Sequence, residues 1–289
     1  MKNIEDNSME RTAELTPAES ETLLRGHVWQ QPENENLVCG AISSAIGARE
    51  NQQDSCYTDI EPDGNSIGIV CAGMGGLKGG EIASQQAVCM FVEDFEQVRR
   101  TENNFYHFFC NEMIEIDDMV AGLTDESGEL LSAGTTLVGV AIKNGFLQWI
   151  SVGDSKIYVI RRDDMVCVTK EHNYLMLLNK QLEEGTIDEE EYAREVKRGA
   201  ALISYLGMGN VNLMDANPNP LPLEDGDIVV LCSDGLYKAL SDAQIYEIIS
   251  KNADDLEAAV QELQMQAQIS AGRVQDNTSI VVLSYRPNV

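Results

Sequence analysis

The stretch that decides the fold reads Ser66-Ile67-Gly68-Ile69-Val70-Cys71-Ala72-Gly73-Met74-Gly75-Gly76-Leu77-Lys78-Gly79-Gly80. Its opening is a short apolar run of the kind that forms a buried strand. It then breaks into a cluster of five glycines, Gly73, Gly75, Gly76, Gly79 and Gly80, and a helical pattern opens at Glu81. Glycines in this density mark a backbone that needs positive φ or must approach something closely. Position 72, where strand gives way to glycine, is therefore expected to point into a site. It carries Ala72, a side chain with no chemistry of its own.

Outward from this stretch the chain alternates between blocks of strands and pairs of helices. On the N-terminal side, residues 1–36 are rich in Glu, Asn and Ser and too polar to build a core, so they are expected to form an acidic tail. Thr16-Pro17-Ala18-Glu19 is its one helix-start signal, with a capping Thr, Pro at the first helical position and Glu three residues after the cap. A single domain is expected over 37–289. Leu37 to Ile46 reads as a strand, Gly47 to Asp54 as a polar loop, and Ser55 to Ile60 as a second strand ended by Pro62-Asp63-Gly64.

On the C-terminal side, apolar residues recur at helical spacing over Glu81 to Val98 and again over Asn104 to Val120, where Phe105, Phe108, Phe109, Met113, Ile114 and Ile116 form a core stripe. From Gly134 the period changes to that of strands. Thr135 to Ile142 and Phe146 to Val152 flank the hairpin signal Asn144-Gly145. Lys156 to Arg161 and Met165 to Thr169 flank a turn at Asp163-Asp164, completing an antiparallel meander. Two short helices within about 173–205 lie between strands and read as an inserted flap. Asp227 to Ser233 is an apolar strand, helices follow over Asp242 to Ser250 and Asp254 to Ser270, and Thr278 to Tyr285 is the last strand. Separate runs of strands and helices predict an α+β fold with antiparallel sheets.

Composition narrows the partners. The formal net charge of −28 over 289 residues repels nucleic acid and anionic lipid, so neither is expected as a partner. A phosphorylated substrate would have to be drawn in by a local positive source, a metal ion or one well-placed Arg. The seven Cys are odd in number, form no C-x-x-C pair and sit mostly in apolar runs, as expected of free thiols in a reducing, cytoplasmic compartment. The polar start is unlike a signal peptide, and no apolar run reaches the length of a membrane span.

Several Asp residues share one context, a strand end beside Gly or Ser. Asp154 stands in Val-Gly-Asp-Ser, Asp234 in Cys-Ser-Asp-Gly and Asp276 in Gln-Asp-Asn-Thr, while Asp54 ends the first polar loop. Carboxylates without His or Cys suit a hard cation such as Mg²⁺ or Mn²⁺; each alone is more often a turn or cap residue. A nucleotide-binding reading of the glycines fails, because Lys78 occupies the last glycine of G-x-G-x-x-G counted from Gly73 and no G-x-x-x-x-G-K-[ST] is present. His27, His107 and His172 have no evident catalytic partner, and His172 is expected to be structural.

Taken in order, the motifs resemble those of the PP2C (PPM) family of metal-dependent protein serine/threonine phosphatases in its compact bacterial form, over residues 37–289. They are Arg-x-x-x-Gln-Asp at 49–54, x-Gly-Met-Gly-Gly at 72–76, Gly-Thr-Thr at 134–136, Gly-Asp-Ser at 153–155, Glu-His at 171–172, Leu-Gly at 206–207, Ser-Asp-Gly-Leu at 233–236 and Asp-Asn-Thr at 276–278. Any one is weak, whereas the ordered set is specific.

The resemblance implies two packed antiparallel sheets flanked by helix pairs, a four-layer sandwich. It also implies hydrolysis of phosphoserine and phosphothreonine in proteins by water shared between two Mn²⁺ or Mg²⁺ ions. By the same resemblance Arg49 holds the phosphate, Asp234 and Asp276 ligate one ion, and Asp54 is a ligand or orients metal-bound water. The Gly73 carbonyl binds the other ion, and Asp154 with Asp234 serves a possible third. A monomer acting on the products of a cognate Ser/Thr kinase is implied as well.

Three departures stand out. Gln53 replaces a frequent Glu, and Met74 stands where animal members carry a His, as is common in bacterial ones. Ala72 takes the place of the Asp that bridges both ions, so the activity of this sequence is expected to be impaired. Either the chain is a natural pseudophosphatase that binds phosphoproteins without turnover, or an Asp at 72 has been changed to Ala. The second is favoured, because Arg49, Asp154, Asp234 and Asp276 all remain, whereas drift in a dead enzyme erodes several positions.

Overall fold

The structure is a computed structural model, and it describes residues 38–75 and 79–287. The tail over 1–36 and the capping signal at Thr16 lie outside the described residues.

Two antiparallel sheets stack face to face. The first has the order β1 (Val38–Ala45), β12 (Thr278–Tyr285), β11 (Ile228–Cys232), β7 (Lys156–Arg161), β8 (Asp164–Cys167). The second has the order β10 (Leu221–Pro222), β6 (Phe146–Val152), β5 (Leu137–Lys143), β3 (Ser66–Gly75), β2 (Asp54–Ile60), with β4 (Ala133–Thr135) on β3 and β9 (Asp215–Ala216) on β6. Val70, Val138, Val140, Ile157, Leu231 and Val281 fill the space between the sheets.

Helices cover both outer faces. α1 (Gly79–Val98) and α2 (Tyr106–Ala121) pack their Phe-rich stripe on Ile67, Ile69 and Cys71 of β3. α5 (Asp234–Tyr237), α6 (Asp242–Lys251) and α7 (Leu256–Ala271) cover Ile228, Val230 and Cys232 of β11 and Ile280 and Val282 of β12. This explains why β3, β11 and β12 are apolar at nearly every position: successive side chains enter different cores, and neither face meets water. The result is the α+β fold that the separate runs of strands and helices predict, in the four-layer sandwich that the resemblance implies. No helix among the described residues is long and apolar enough to cross a membrane, and no disulfide joins the cysteines.

Four local expectations are corrected. β3 does not stop at Ala72 but continues to Gly75, because Gly73–Gly75 pair with Ala133–Thr135 of β4. Gly73 needs its bare Cα for space and not for a turn: a Cβ there would lie 2.0 Å from the Gly80 carbonyl oxygen and 2.5 Å from that of Gln53. The strand expected over Thr135 to Ile142 is two strands, broken at Thr136, whose N–H donates to the Ala72 carbonyl at 2.9 Å and whose hydroxyl accepts from the Ala72 N–H at 3.1 Å. The turn placed at Asp163-Asp164 falls one residue earlier, since Arg161 pairs with Asp164 and Arg162 takes φ 56°. Ile114, expected in the core stripe, is 49% exposed, while Glu112 on the same helix faces inward at 3%.

The flap consists of α3 (Tyr174–Glu183), α4 (Glu189–Glu195) and a 3-10 turn over Val196–Arg198. Its two ends are tied where the Tyr174 N–H donates to Ala201 O and the Leu175 N–H to Gly199 O.

Candidate active site

The strand registers bring the acidic residues to one end of the sandwich. Asp54 opens β2, and directly across the ladder from it is Ala72 of β3. Asp154 lies between β6 and β7, Asp234 follows β11, and Asp276 precedes β12. These ends coincide because Ala45 pairs with Thr278, Cys232 with both Ile280 and Lys156, and Leu137 with Val152. Together with Arg49 from the β1–β2 loop, they line a cleft of about 400 Å³ that also includes Gln53, Gly73, Met74, Thr136, Lys238 and Asn277. Ala200 and Leu202, at the C-terminal foot of the flap, close one side. All seven positions singled out from the sequence, Arg49, Asp54, Ala72, Gly73, Asp154, Asp234 and Asp276, meet in this one cleft.

Asp54 and Asp154 are both buried, each 8% exposed, and Asp54 is the one bonded to Ser233. It accepts a 2.6 Å hydrogen bond from the Ser233 hydroxyl, which in turn accepts from the Ser279 N–H at 2.9 Å. Burial pushes its carboxyl up to about 7, with Asp234 and Asp276 adding to the rise and the Ser233 hydrogen bond working against it. Asp154 is also raised, first by burial and then by Asp234, with Lys238 opposing. The cleft therefore holds more negative charge than its surroundings neutralise.

Two cations meet part of that charge. The Arg49 guanidinium donates to Asp276 Oδ2 at 2.5 Å in a half-exposed setting. Lys238 Nζ lies 2.5 Å from Asp234 Oδ2 and 3.6 Å from Asp154 Oδ2. Burial works against the Lys238 charge, but Asp234 and then Asp154 more than offset it and hold the ammonium above its ordinary value.

Lys238 was not foreseen from the sequence. The signal was its i+4 spacing from Asp234, just past a helix of four residues too short to show a period. Asn277 was quoted within a motif but given no task. Its amide donates to the carbonyls of Ile46 and Asn51, at 2.8 and 3.0 Å, and its Oδ1 accepts from the Gln53 N–H at 2.9 Å. Asn277 thereby fixes the loop that carries Arg49 against β12. Gly235 is equally constrained, since a Cβ there would lie 2.1 Å from Asn277 O. His172 behaves as expected of a structural residue. It is 1% exposed, burial lowers its pKa, and its Nδ1 accepts from the Gly153 N–H at 3.1 Å, pinning the loop before Asp154.

The donors are all oxygen, the chemistry a hard divalent cation takes. The raised Asp54 carboxyl beside Asp234 and Asp276 shows where such a cation would relieve charge, so this side of the cleft fits one. The Gly73 side does not offer a second ion a shared carboxylate, because Ala72 has no side-chain donor. A third cation between Asp154 and Asp234 does not fit beside the Lys238 ammonium.

Comparison with known proteins agrees with this architecture. The family model for protein phosphatase 2C matches residues 43–271. Protein phosphatase PhpP of Streptococcus pneumoniae is 28% identical over 216 residues, 73% of this chain and 85% of that protein. The solved serine/threonine phosphatase of S. agalactiae superposes with a TM-score of 0.68 at 26% identity, covering 86% of this chain and 99% of the other. The catalytic domain of serine/threonine protein phosphatase PstP, in a structure with two manganese ions, superposes with a TM-score of 0.66 at 24% identity, covering 86% and 98%. With the family model spanning most of the chain and the cleft at the same strand ends as its motifs, this chain belongs to the protein phosphatase 2C family.

Proposed function

We propose that this chain is a Mg²⁺/Mn²⁺-dependent phosphatase domain for phosphoserine and phosphothreonine in proteins, with turnover impaired by Ala72. The observation that carries the reading is the convergence of Arg49 and four aspartates on one cleft in which Ala72 stands opposite Asp54. The phosphatase names of its relatives and the manganese in the PstP structure support the same assignment. Substrates of a cognate Ser/Thr kinase in the cytoplasm are the partners this reading implies.

Asp234 and Asp276 would hold the divalent cation, with Asp54 beside them. A cation there supplies Lewis acidity toward a phosphoryl oxygen and a more acidic water. The chain's own groups do the rest. Arg49 presents a planar fork of N–H donors suited to two phosphate oxygens. Its present partner is the same Asp276 carboxylate that a cation would engage, so a cation held there would leave the guanidinium free for a phosphate. Asp54, pushed up by burial when no cation is present, would be held in its charged form by a cation beside it. Ser233 orients that carboxylate, and Asn277 holds the Arg49 loop. Ala200 and Leu202 line the flap side of the cleft.

A chain that binds phosphoprotein but turns it over slowly offers a direct test of the phosphate role. Arg49→Ala is expected to weaken a phosphothreonine peptide about 10- to 100-fold, the loss of charge-assisted hydrogen bonds worth about 1.5–3 kcal/mol. Fluorescence anisotropy with Mn²⁺ present reads this, and an unchanged Kd would remove Arg49 from the site. Lys238→Asn tests the count of cations. It is expected to add one Mn²⁺ per chain in equilibrium dialysis, because Asp154 and Asp234 lose their resident ammonium. The same stoichiometry in both proteins would show that Lys238 does not hold that position.

The second reading is a phosphoprotein-binding module without turnover. It is favoured by the absence of any side-chain donor at 72 and by two built-in cations that partly replace metal charge. Both readings share the Arg49 result and part at Ala72→Asp.

A further inference from the structure

Helix α2 carries two buried acids that meet opposite fates. Asp117, 1% exposed, accepts from four backbone N–H groups, those of Gly207, Gly209, Asn210 and Val211, at 2.7–3.2 Å. Its charge is fully satisfied by a loop wrapped around it. Glu112, 3% exposed, has no such loop, and its buried Oε1 has no hydrogen-bond partner. A buried carboxylate oxygen without a partner is costly and calls for a specific explanation.

That side chain reaches toward two more carboxylates. Asp94 of α1, Glu112 and Glu115 each place an oxygen so that the three lie within 4.8 Å of one another. Glu112 and Glu115 are i and i+3 on α2, which puts them on one face, and Asp94 approaches from the neighbouring helix. Among the described residues no Lys, Arg or His forms an ion pair with any of the three; Asp94 has only the Gln97 amide, at 3.0 Å. Burial pushes the Glu112 carboxyl up to about 8, with Asp94 and Glu115 adding to the rise. Three acids therefore converge with no positive charge among them, one of them sealed in the helix interface.

We propose that Asp94, Glu112 and Glu115 form a divalent-cation site of the calcium class that pins α1 to α2, separate from the catalytic cleft. All three donors are carboxylate oxygens, which selects a hard cation. Three protein carboxylates suit Ca²⁺, which takes about six to eight oxygen ligands in flexible geometry, better than Mg²⁺, which keeps several waters and is held through one or two carboxylates. Glu115 is exposed and Asp94 half-buried, giving the ion a path from solvent to the sealed Glu112. The ion would supply the missing partner of Glu112 and join the two helices that cover the outer face of β3.

The test uses the full chain carrying Asp234→Asn and Asp276→Asn, so that the cleft does not contribute cation binding. Isothermal titration with CaCl₂ is expected to show one ion per chain, together with a calcium-dependent rise in melting temperature. Glu112→Gln in that background is expected to weaken binding at least tenfold and to abolish the rise. Should Glu112→Gln fail to fold, Asp94→Asn and Glu115→Gln at the more exposed positions carry the same expectation. MgCl₂ is expected to bind at least tenfold more weakly than CaCl₂. No calcium binding, in which case Glu112 simply retains a proton, overturns the site. So does binding that survives all three substitutions, and magnesium binding as tight as calcium overturns the calcium class.

Discussion

Ala72→Asp is expected to raise Mn²⁺-dependent hydrolysis of a phosphothreonine peptide by at least about a hundredfold, which is roughly 2.7 kcal/mol of barrier at 1.36 kcal/mol per tenfold. The expectation rests on register. Ala72 stands directly across the β2–β3 ladder from Asp54, and directly opposed residues have Cβ atoms about 4.5–5.5 Å apart. A carboxylate at 72 would therefore join Asp54 in facing the cleft, at a position that now offers no side-chain oxygen. The backbone there is already fixed: the Ala72 N–H donates to the Thr136 hydroxyl and its carbonyl accepts from the Thr136 N–H, at 3.1 and 2.9 Å. Ala72 is only partly buried, so the larger side chain has room.

The same substitution makes a second, independent prediction in the absence of metal. A fifth carboxylate beside Asp54 adds like charge to a cleft already short of cations, so the metal-free variant should melt lower than the parent, and Mn²⁺ should raise its melting temperature more than it raises the parent's. Paired gains in activity and in metal-dependent stability would identify position 72 as the missing ligand and favour a single replaced Asp over an eroded site. Tighter metal binding with no turnover would instead support the phosphoprotein-binding reading. If neither quantity moves, the metal-bridging role of position 72 is lost.

How much of this was legible in the sequence differs by feature. β6, β7 and β12 were bounded correctly because each is an apolar run closed by a turn signal or a charged residue on both sides. The cleft aspartates were legible for the same reason: each abuts such a run, so finding the strand ends also locates the carboxylates. What the sequence hid were features set by partners distant along the chain. β3 continues past Ala72 only because β4 pairs with Gly73–Gly75, and Thr136 breaks its strand only because Ala72 takes its hydrogen bonds. Lys238 neutralises Asp154 from 84 positions away. The inward turn of Glu112 had a local trace, since it falls at helical spacing between Phe109 and Ile116, but an acid at a core position is easily passed over in favour of its apolar neighbour Ile114.

Asp54→Asn is expected to stabilise the metal-free chain, and by more at pH 8 than at pH 5. In the folded protein burial pushes the Asp54 carboxyl up to about 7, against 3.8 for the free group. Between those two values the native state binds more protons than the unfolded state, so stability falls as pH rises through the window. The full difference, about 3 pH units, corresponds to about 4 kcal/mol at 1.36 kcal/mol per unit. Asn carries no charge to desolvate and keeps an oxygen to accept from Ser233, so it escapes that loss. For a domain of this size 4 kcal/mol is roughly 10 °C in melting temperature. Glu112, raised to about 8, gives both proteins a further decline at higher pH, and His172, lowered by burial, costs both proteins stability as pH falls below its ordinary range. The Asp54 contribution is thus the difference between the two melting curves and not either curve alone. Thermal melts in EDTA across pH 5 to 8 measure it. Parallel curves for parent and variant would mean that Asp54 is ionised throughout and that the cleft carries its negative charge without strain. A gap that widens from pH 5 to pH 8 and closes when Mn²⁺ is added to the parent would place the cation where the buried carboxylate is.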